Sequence, residues 1–95
     1  MKIVAIEQEL PGRTAEDFMP HLEAEAKKVW ELYQKGLIRE IYFRDDQKSA
    51  VLMLECESLQ QAIDILSDLP LVRENLITFD CIPLKPYPGF ERLFK

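Results

Sequence analysis

The sequence predicts an α+β domain of the ferredoxin-like type, in which a four-stranded antiparallel sheet carries two helices on one face. Strand-like and helix-like segments alternate in the order βαββαβ, which is the split-βαβ arrangement. The segment Ser49–Cys56 is apolar at successive positions, so both faces of this strand must be covered. Because right-handed crossovers place both helices on the same side, the other side of the sheet is expected to lack cover from its own chain.

The first strand and the first helix fill the N-terminal part of the chain. An apolar run lies within the predicted strand Lys2–Glu9, and a Pro-Gly pair ends it. The helix is expected to run to Lys35, with Gly36 as the residue that follows its end. Since Pro20 is tolerated only in a first turn, either a short turn precedes the main helix or the helix begins near Asp17.

A hairpin and a second helix come next. Leu37–Arg44 and Ser49–Cys56 are predicted as strands joined by a polar turn. Ser58 opens a capping box for the second helix, and the segment Asp68-Leu-Pro70 is expected to end it.

Leu76–Leu84 is the predicted fourth strand, and the proline-rich tail, residues 85–95, is expected to be irregular. The tail is rich in aromatic residues but has no core of its own. It is expected either to reach a neighbouring subunit or, alternatively, to fold back on its own chain or be partly disordered. All 95 residues are assigned to a single domain. An uncovered apolar sheet face predicts a homodimer or a larger homo-oligomer.

Charge and composition exclude several classes of protein. The net charge is −5 and the pI is about 4.8, which argues against nucleic acid and anionic membranes as partners. No segment is long and apolar enough for a targeting core or a membrane span. Cys56 and Cys81 lack metal-site spacing and are interpreted as buried, reduced thiols, so a cytoplasmic location is expected.

Several segments resemble muconolactone isomerase. They are Glu31-Leu32, Gln34–Gly36, Leu69-Pro-Leu71 and the run from Ile77 to Pro83-Leu84 before a proline-rich end. The resemblance implies a dimeric α+β barrel with a small-molecule pocket, and an isomerase acting on a small organic acid or lactone without a cofactor. One departure is clear: the isomerase has Trp-Pro-His on its second strand, whereas Leu37–Ile41 contains no histidine.

Two residues of the first helix are candidates for proton transfer. Glu25 lies close to the apolar stripe of the helix, so its carboxylate is expected to be paired, neutral or facing a pocket. His21 lies one turn earlier and could act as a general acid or base. Glu25 also falls where the isomerase family has a helix glutamate. The alternative is an ion pair at the edge of the helix.

Glu40, Tyr42 and Arg44 are candidates for substrate binding because they share one face of the second predicted strand. Arg44 offers a fork suited to a carboxylate, and Tyr42 offers a hydroxyl group. The alternative is a solvated edge strand whose charges deter pairing. With a single histidine, no metal site is predicted. The rival hypothesis for the whole chain is a non-catalytic assembly or ligand-sensing module of the same fold.

Overall fold

A computed structural model describes residues 1–94. Its elements are β1 (Lys2–Glu9), α1 (Ala15–Phe18), a 3-10 turn (Met19–His21), α2 (Leu22–Gln34), β2 (Ile38–Phe43), β3 (Ala50–Glu55), α3 (Leu59–Ser67), α4 (Pro70–Arg73), β4 (Ile77–Leu84) and a second 3-10 turn (Gly89–Leu93). The four strands pair antiparallel in the order β2-β3-β1-β4. The predicted βαββαβ order and ferredoxin-like sheet are confirmed.

The core lies between one face of the sheet and the helices. Its buried apolar side chains are Ile3, Ala5, Leu32, Ile38, Leu52, Leu54, Cys56, Ala62, Leu66 and Leu69. Full burial of an aliphatic side chain of this size contributes about 1.5–3 kcal/mol to folding. In β3, Leu52 and Leu54 point into this core, whereas Val51 and Met53 alternate to the other face and are half-buried. The strand is apolar on both faces, as predicted.

The helical region after β1 begins with a short turn, which is the first of the two predicted alternatives. Pro20 lies in the 3-10 turn between α1 and α2. Its missing N–H cannot serve an α-helical hydrogen bond, so the regular helix starts only at Leu22. At the other end, Gly36 has a φ of +77°, a conformation that glycine adopts without a Cβ penalty.

Two local features differ from the simple strand and helix patterns. The register of β2 with β3 shifts between Ile38 and Glu40, so Arg39 is the extra residue of a β-bulge. Because of the bulge, Ile38 points into the core, whereas Glu40 and Tyr42 point to the opposite face of the sheet. The second predicted helix, α3, ends at Ser67, just before Asp68-Leu-Pro70, as expected. Pro70 then starts α4, which was not predicted, because its fixed φ suits a first helical position.

The second sheet face and the tail leave apolar side chains in water. Ile82 and Leu84 on β4 are 45% and 42% exposed. The tail was expected to be irregular, but it forms the 3-10 turn Gly89–Leu93. Phe94 is 82% exposed, so within residues 1–94 the tail does not bury its aromatic end on its own chain. The radius of gyration is 15.4 Å, whereas about 12 Å is typical of a compact chain of this length.

Two further observations bear on the expected environment of the chain. Cys56 is buried, Cys81 is half-buried, and both are free thiols. Within residues 1–94, no helix combines the length and apolar character that crossing a bilayer requires.

Candidate functional site

A cleft opens between the first helical segments and the helix-facing side of the sheet. We call it the helix–sheet cleft, and its volume is about 470 Å³. Apolar groups form most of its wall, with three charged residues among them. Its lining residues are Glu7, Glu9, Ala15, Phe18, Met19, Leu22, Phe43, Lys48 and Leu71. A mostly apolar pocket with a few polar groups is the usual form of a small-molecule site.

Glu7 is the buried carboxylate of this cleft. Alternation along β1 places it on the same face as the core residues Ile3 and Ala5, and only 9% of it is exposed. Its Oε1 atom accepts a hydrogen bond from the backbone N–H of Ala50 at 3.2 Å. Burial raises the pKa of Glu7 above the ordinary value of 4.5, the Ala50 N–H lowers it, and the charge of Glu9 raises it.

Glu25 lies behind the wall of the cleft. Its Oε1 atom accepts a hydrogen bond from the backbone N–H of Leu71 at 2.9 Å. Burial raises the pKa of Glu25, the Leu71 N–H lowers it, and the charge of Glu7 raises it further. Glu25 is therefore half-buried and hydrogen-bonded, and the Glu7 carboxyl group is near enough for its charge to affect the Glu25 pKa.

His21 ends the 3-10 turn before α2 and is partly buried. It is not among the residues that line the helix–sheet cleft. The structure thus keeps His21 on the same helical region as Glu25 without bringing its ring to the cleft wall.

Glu40 and Tyr42 line a different depression, which we call the aromatic groove. It has a volume of about 540 Å³ and lies between α2 and the edge strand β2. The rings of Trp30 and Tyr33 stack along its helical side, with their centroids 5.9 Å apart. The Tyr42 hydroxyl donates a hydrogen bond to Glu40 Oε1 at 2.7 Å, and this bond raises the pKa of Tyr42.

Arg44 lies just beyond β2 and lines neither the cleft nor the groove. Its guanidinium donates to both carboxylate oxygens of Asp46, at 2.9 and 2.6 Å. This pair lowers the pKa of the Asp46 carboxyl. A ligand that used Arg44 would first have to displace Asp46.

The helix–sheet cleft is the better candidate for chemistry, although the aromatic groove is larger. The acidic group of the groove, Glu40, is exposed and already holds the Tyr42 hydroxyl. In the cleft, the carboxyl group of Glu7 is desolvated, has a raised pKa and adjoins apolar side chains. Carboxyl groups of this kind concentrate at functional sites. Among residues 1–94, no group of three His, Cys, Asp or Glu side chains is placed to hold a metal ion.

Glu7 was not predicted as a site residue. The signal was present in the alternation of β1, because Ile3, Ala5 and Glu7 share one face. The apolar run at residues 3–6 concealed this alternation, since it made both faces of the strand read as core.

Solved structures of other proteins share the fold of this chain, among them two enzymes. One is muconolactone isomerase, with a TM-score of 0.76, 16% identity, and coverage of 94% of this chain and 93% of the other. The second is 5-chloro-2-hydroxyhydroquinone dehydrochlorinase from Burkholderia phenoliruptrix AC1100, in complex with 2,5-dihydroxybenzoquinone. Its TM-score is 0.71 and its identity is 16%, with coverage of 94% of this chain and 98% of the other.

The sequence matches no protein-family model and no curated protein. The structural likeness confirms the expected muconolactone isomerase-like fold, and at this identity it establishes the fold alone.

Proposed function

We propose that this protein binds a small organic acid or lactone in the helix–sheet cleft and moves a proton on it, as an isomerase does. The observation that carries the proposal is the half-buried carboxyl group of Glu25, held by the Leu71 N–H beside a mostly apolar cleft. A raised carboxyl pKa suits general acid–base catalysis, because the group then exchanges protons nearer neutral pH.

The reaction is a proton shift within one molecule. A carboxylate removes a proton from carbon next to a carbonyl group, and the C–H electron pair moves into an enolate. The resulting carboxylic acid then returns the proton to another carbon of the conjugated system. No oxidant, reductant or second substrate is consumed, so the site needs only a carboxyl group and an enclosed space.

The remaining candidates lie outside the lining of the helix–sheet cleft. His21, at the start of α2, is a second candidate acid or base of this helical region. Tyr42 and Glu40 offer a hydrogen-bonded pair in the aromatic groove, and Arg44 offers a cation once Asp46 moves away. The names of the two structural neighbours, an isomerase of a lactone and a dehydrochlorinase of a hydroxyhydroquinone, support small oxygenated compounds as the ligand class.

We also propose that the protein works as a homodimer or larger homo-oligomer. The exposed Ile82 and Leu84, with the half-buried Val51 and Met53, give the second sheet face an apolar surface that a second copy could cover. The same surface is the observation that favours the alternative function, a non-catalytic assembly module.

Two free thiols are consistent with a reducing compartment such as the cytoplasm.

A screen of lactones and small organic acids by thermal shift tests the proposed binding, since a ligand of the folded state raises stability by mass action. Compounds that bind are then tested for hydrogen–deuterium exchange at carbon. We expect exchange with the wild-type protein and with Glu23→Gln, an exposed matched control. We expect a loss of roughly 10²–10⁴-fold in Glu25→Gln. Unchanged exchange in Glu25→Gln would reject a part for Glu25 in proton transfer, and no exchange with the wild-type protein would reject the proton-transfer function and favour the assembly module.

A further inference from the structure

We propose that Glu7 is the residue that exchanges the proton with the ligand. We further propose that the helix–sheet cleft prefers an uncharged ring compound bearing an acidic O–H or C–H over a carboxylate. This inference rests on the proposed function, because it names the ligand-facing group and the ligand class of the same cleft. It also assigns Glu25 a different part: that of a positioning residue, which holds the backbone of Leu71 in the cleft wall.

Position distinguishes the two carboxyl groups. Glu7 forms part of the cleft wall, whereas Glu25 is not among its lining residues. Glu25 accepts a hydrogen bond from the backbone N–H of Leu71, and Leu71 lines the cleft. Glu25 therefore lies behind the cleft wall. The Oε1 atom of Glu7 is held by the Ala50 N–H, while its Oε2 atom has no hydrogen bond within residues 1–94. This oxygen is not enclosed by protein atoms, so it can accept a hydrogen bond from a ligand O–H in the cleft.

Coulomb repulsion couples the protonation of the two groups. Ionised Glu7 is one of the charges that raise the pKa of Glu25. Once Glu7 has lost its proton, Glu25 therefore keeps its own proton to a higher pH. Because Glu7 lines the cleft and Glu25 does not, Glu7 is the carboxyl group that can accept a proton from the ligand.

The charges of the cleft select the ligand. The lining includes two carboxyl groups, Glu7 and Glu9, and a single cation, Lys48, while its other members are apolar. Like charges brought together in a desolvated site cost far more than they do in water. An entering carboxylate would face Glu7 directly, whereas a neutral phenol or lactone would offer it a hydrogen bond or an acidic C–H.

A matched pair of probes tests this selection. 4-Nitrophenol carries an ionisable O–H, and 4-nitrobenzoate has the same ring with a carboxylate. Each is titrated by calorimetry into the wild-type protein, Glu7→Gln and the exposed control Glu23→Gln, at a pH where the phenol is neutral. Amide chemical shifts of the residues that line the cleft locate the bound probe. Glutamine keeps the Oε1 acceptor for Ala50, so the Glu7→Gln fold is expected to be intact.

We expect the wild-type protein and Glu23→Gln to bind 4-nitrophenol at least about tenfold more tightly than 4-nitrobenzoate, and Glu7→Gln to lose most of this ratio. The visible absorbance of the bound phenolate should also appear at higher pH with the wild-type protein than with Glu7→Gln, because the Glu7 charge opposes ionisation of the probe.

The negative results separate the inference from the proposed function. Equal or tighter binding of 4-nitrobenzoate in the cleft would overturn the inference and leave a small-molecule site in place. A ratio unchanged in Glu7→Gln would overturn the role of Glu7 alone. If neither probe perturbs the cleft residues, both the inference and the proposed site fail.

Discussion

The Oε1 atom of Glu25 accepts the backbone N–H of Leu71 at 2.9 Å, which ties α2 to α4 across 46 positions of sequence. Leu71 follows Pro70 at the start of α4, where backbone N–H groups have no intrahelical acceptor. The carboxyl group therefore satisfies a donor that would otherwise be left without a protein partner.

This contact predicts different outcomes for two substitutions of Glu25. Glu25→Gln keeps an oxygen acceptor and should leave the free energy of unfolding at pH 7 unchanged or slightly higher. Glu25→Ala leaves the Leu71 N–H without its acceptor and should cost about 1–3 kcal/mol. Urea denaturation measures both values. Equal stability of the two variants would mean that the hydrogen bond contributes nothing.

The buried position of Glu7 predicts a pH-dependent stability difference. Its folded pKa lies above 4.5, so between 4.5 and that value the folded protein binds more protons than the unfolded chain. The contribution of Glu7 to the free energy of unfolding is fully present below pH 4.5. It is lost as the pH rises through the pKa of Glu7 in the folded protein. Glu9, Glu25 and Lys48 are the charged groups near it.

Glu7→Gln should therefore be more stable than the wild-type protein at pH 7. The gain is about 1.4 kcal/mol for each unit by which folding raises the pKa. The difference should shrink as the pH approaches 4.5. Thermal unfolding of both proteins across this range is the measurement, with Glu23→Gln as the exposed control. A pH-independent difference would show that packing, not charge, separates the two proteins.

The second sheet face predicts the assembly state. Ile82→Glu places a charge on the surface expected to meet a second copy, and it should shift the protein towards monomers by at least tenfold in dissociation constant. Ile63→Glu is a matched control, because Ile63 is similarly exposed but lies on α3. Light scattering during size-exclusion chromatography measures the mass. A wild-type protein that is monomeric at micromolar concentration would contradict the homo-oligomer proposal.

The start of α3 offers a stability test unrelated to the site. Ser58 Oγ accepts the backbone N–H of Gln61 at 3.1 Å, as the sequence predicted. Ser58→Ala should cost about 1 kcal/mol. Ser67→Ala, at the exposed end of the same helix, should change stability by less than about 0.5 kcal/mol. Chemical denaturation of both variants checks the comparison.

Local patterns were sufficient to predict the fold. Alternation identified the strands, the Ser58 cap fixed the start of α3, and Gly36 marked the end of α2. The β-bulge at Arg39 could not be predicted, because it depends on the pairing of β2 with β3 and not on the β2 sequence alone. The helical turn after Pro70 was missed because proline was taken to end a helix, although it can also begin one.

The candidate site was predictable only in part. The position of Glu25 near the apolar stripe correctly indicated a half-buried carboxyl group. Its partner Leu71 is 46 residues away, and such a contact arises only from tertiary packing. Arg44 and Tyr42 share a predicted face, but Arg44 turns to Asp46 and Tyr42 to Glu40. Periodicity indicates on which face of a strand a side chain lies, but not which residue that side chain contacts.

The pH titration of the Glu7 and Glu25 carboxyl carbons by ¹³C NMR tests the coupled carboxyl pair most directly. Both groups should titrate above 4.5, and the pKa of Glu25 should fall in Glu7→Gln, because the repelling charge is removed. If both groups titrated at 4.5, or if Glu25 were unaffected by the substitution, the helix–sheet cleft would hold no coupled proton-transfer pair.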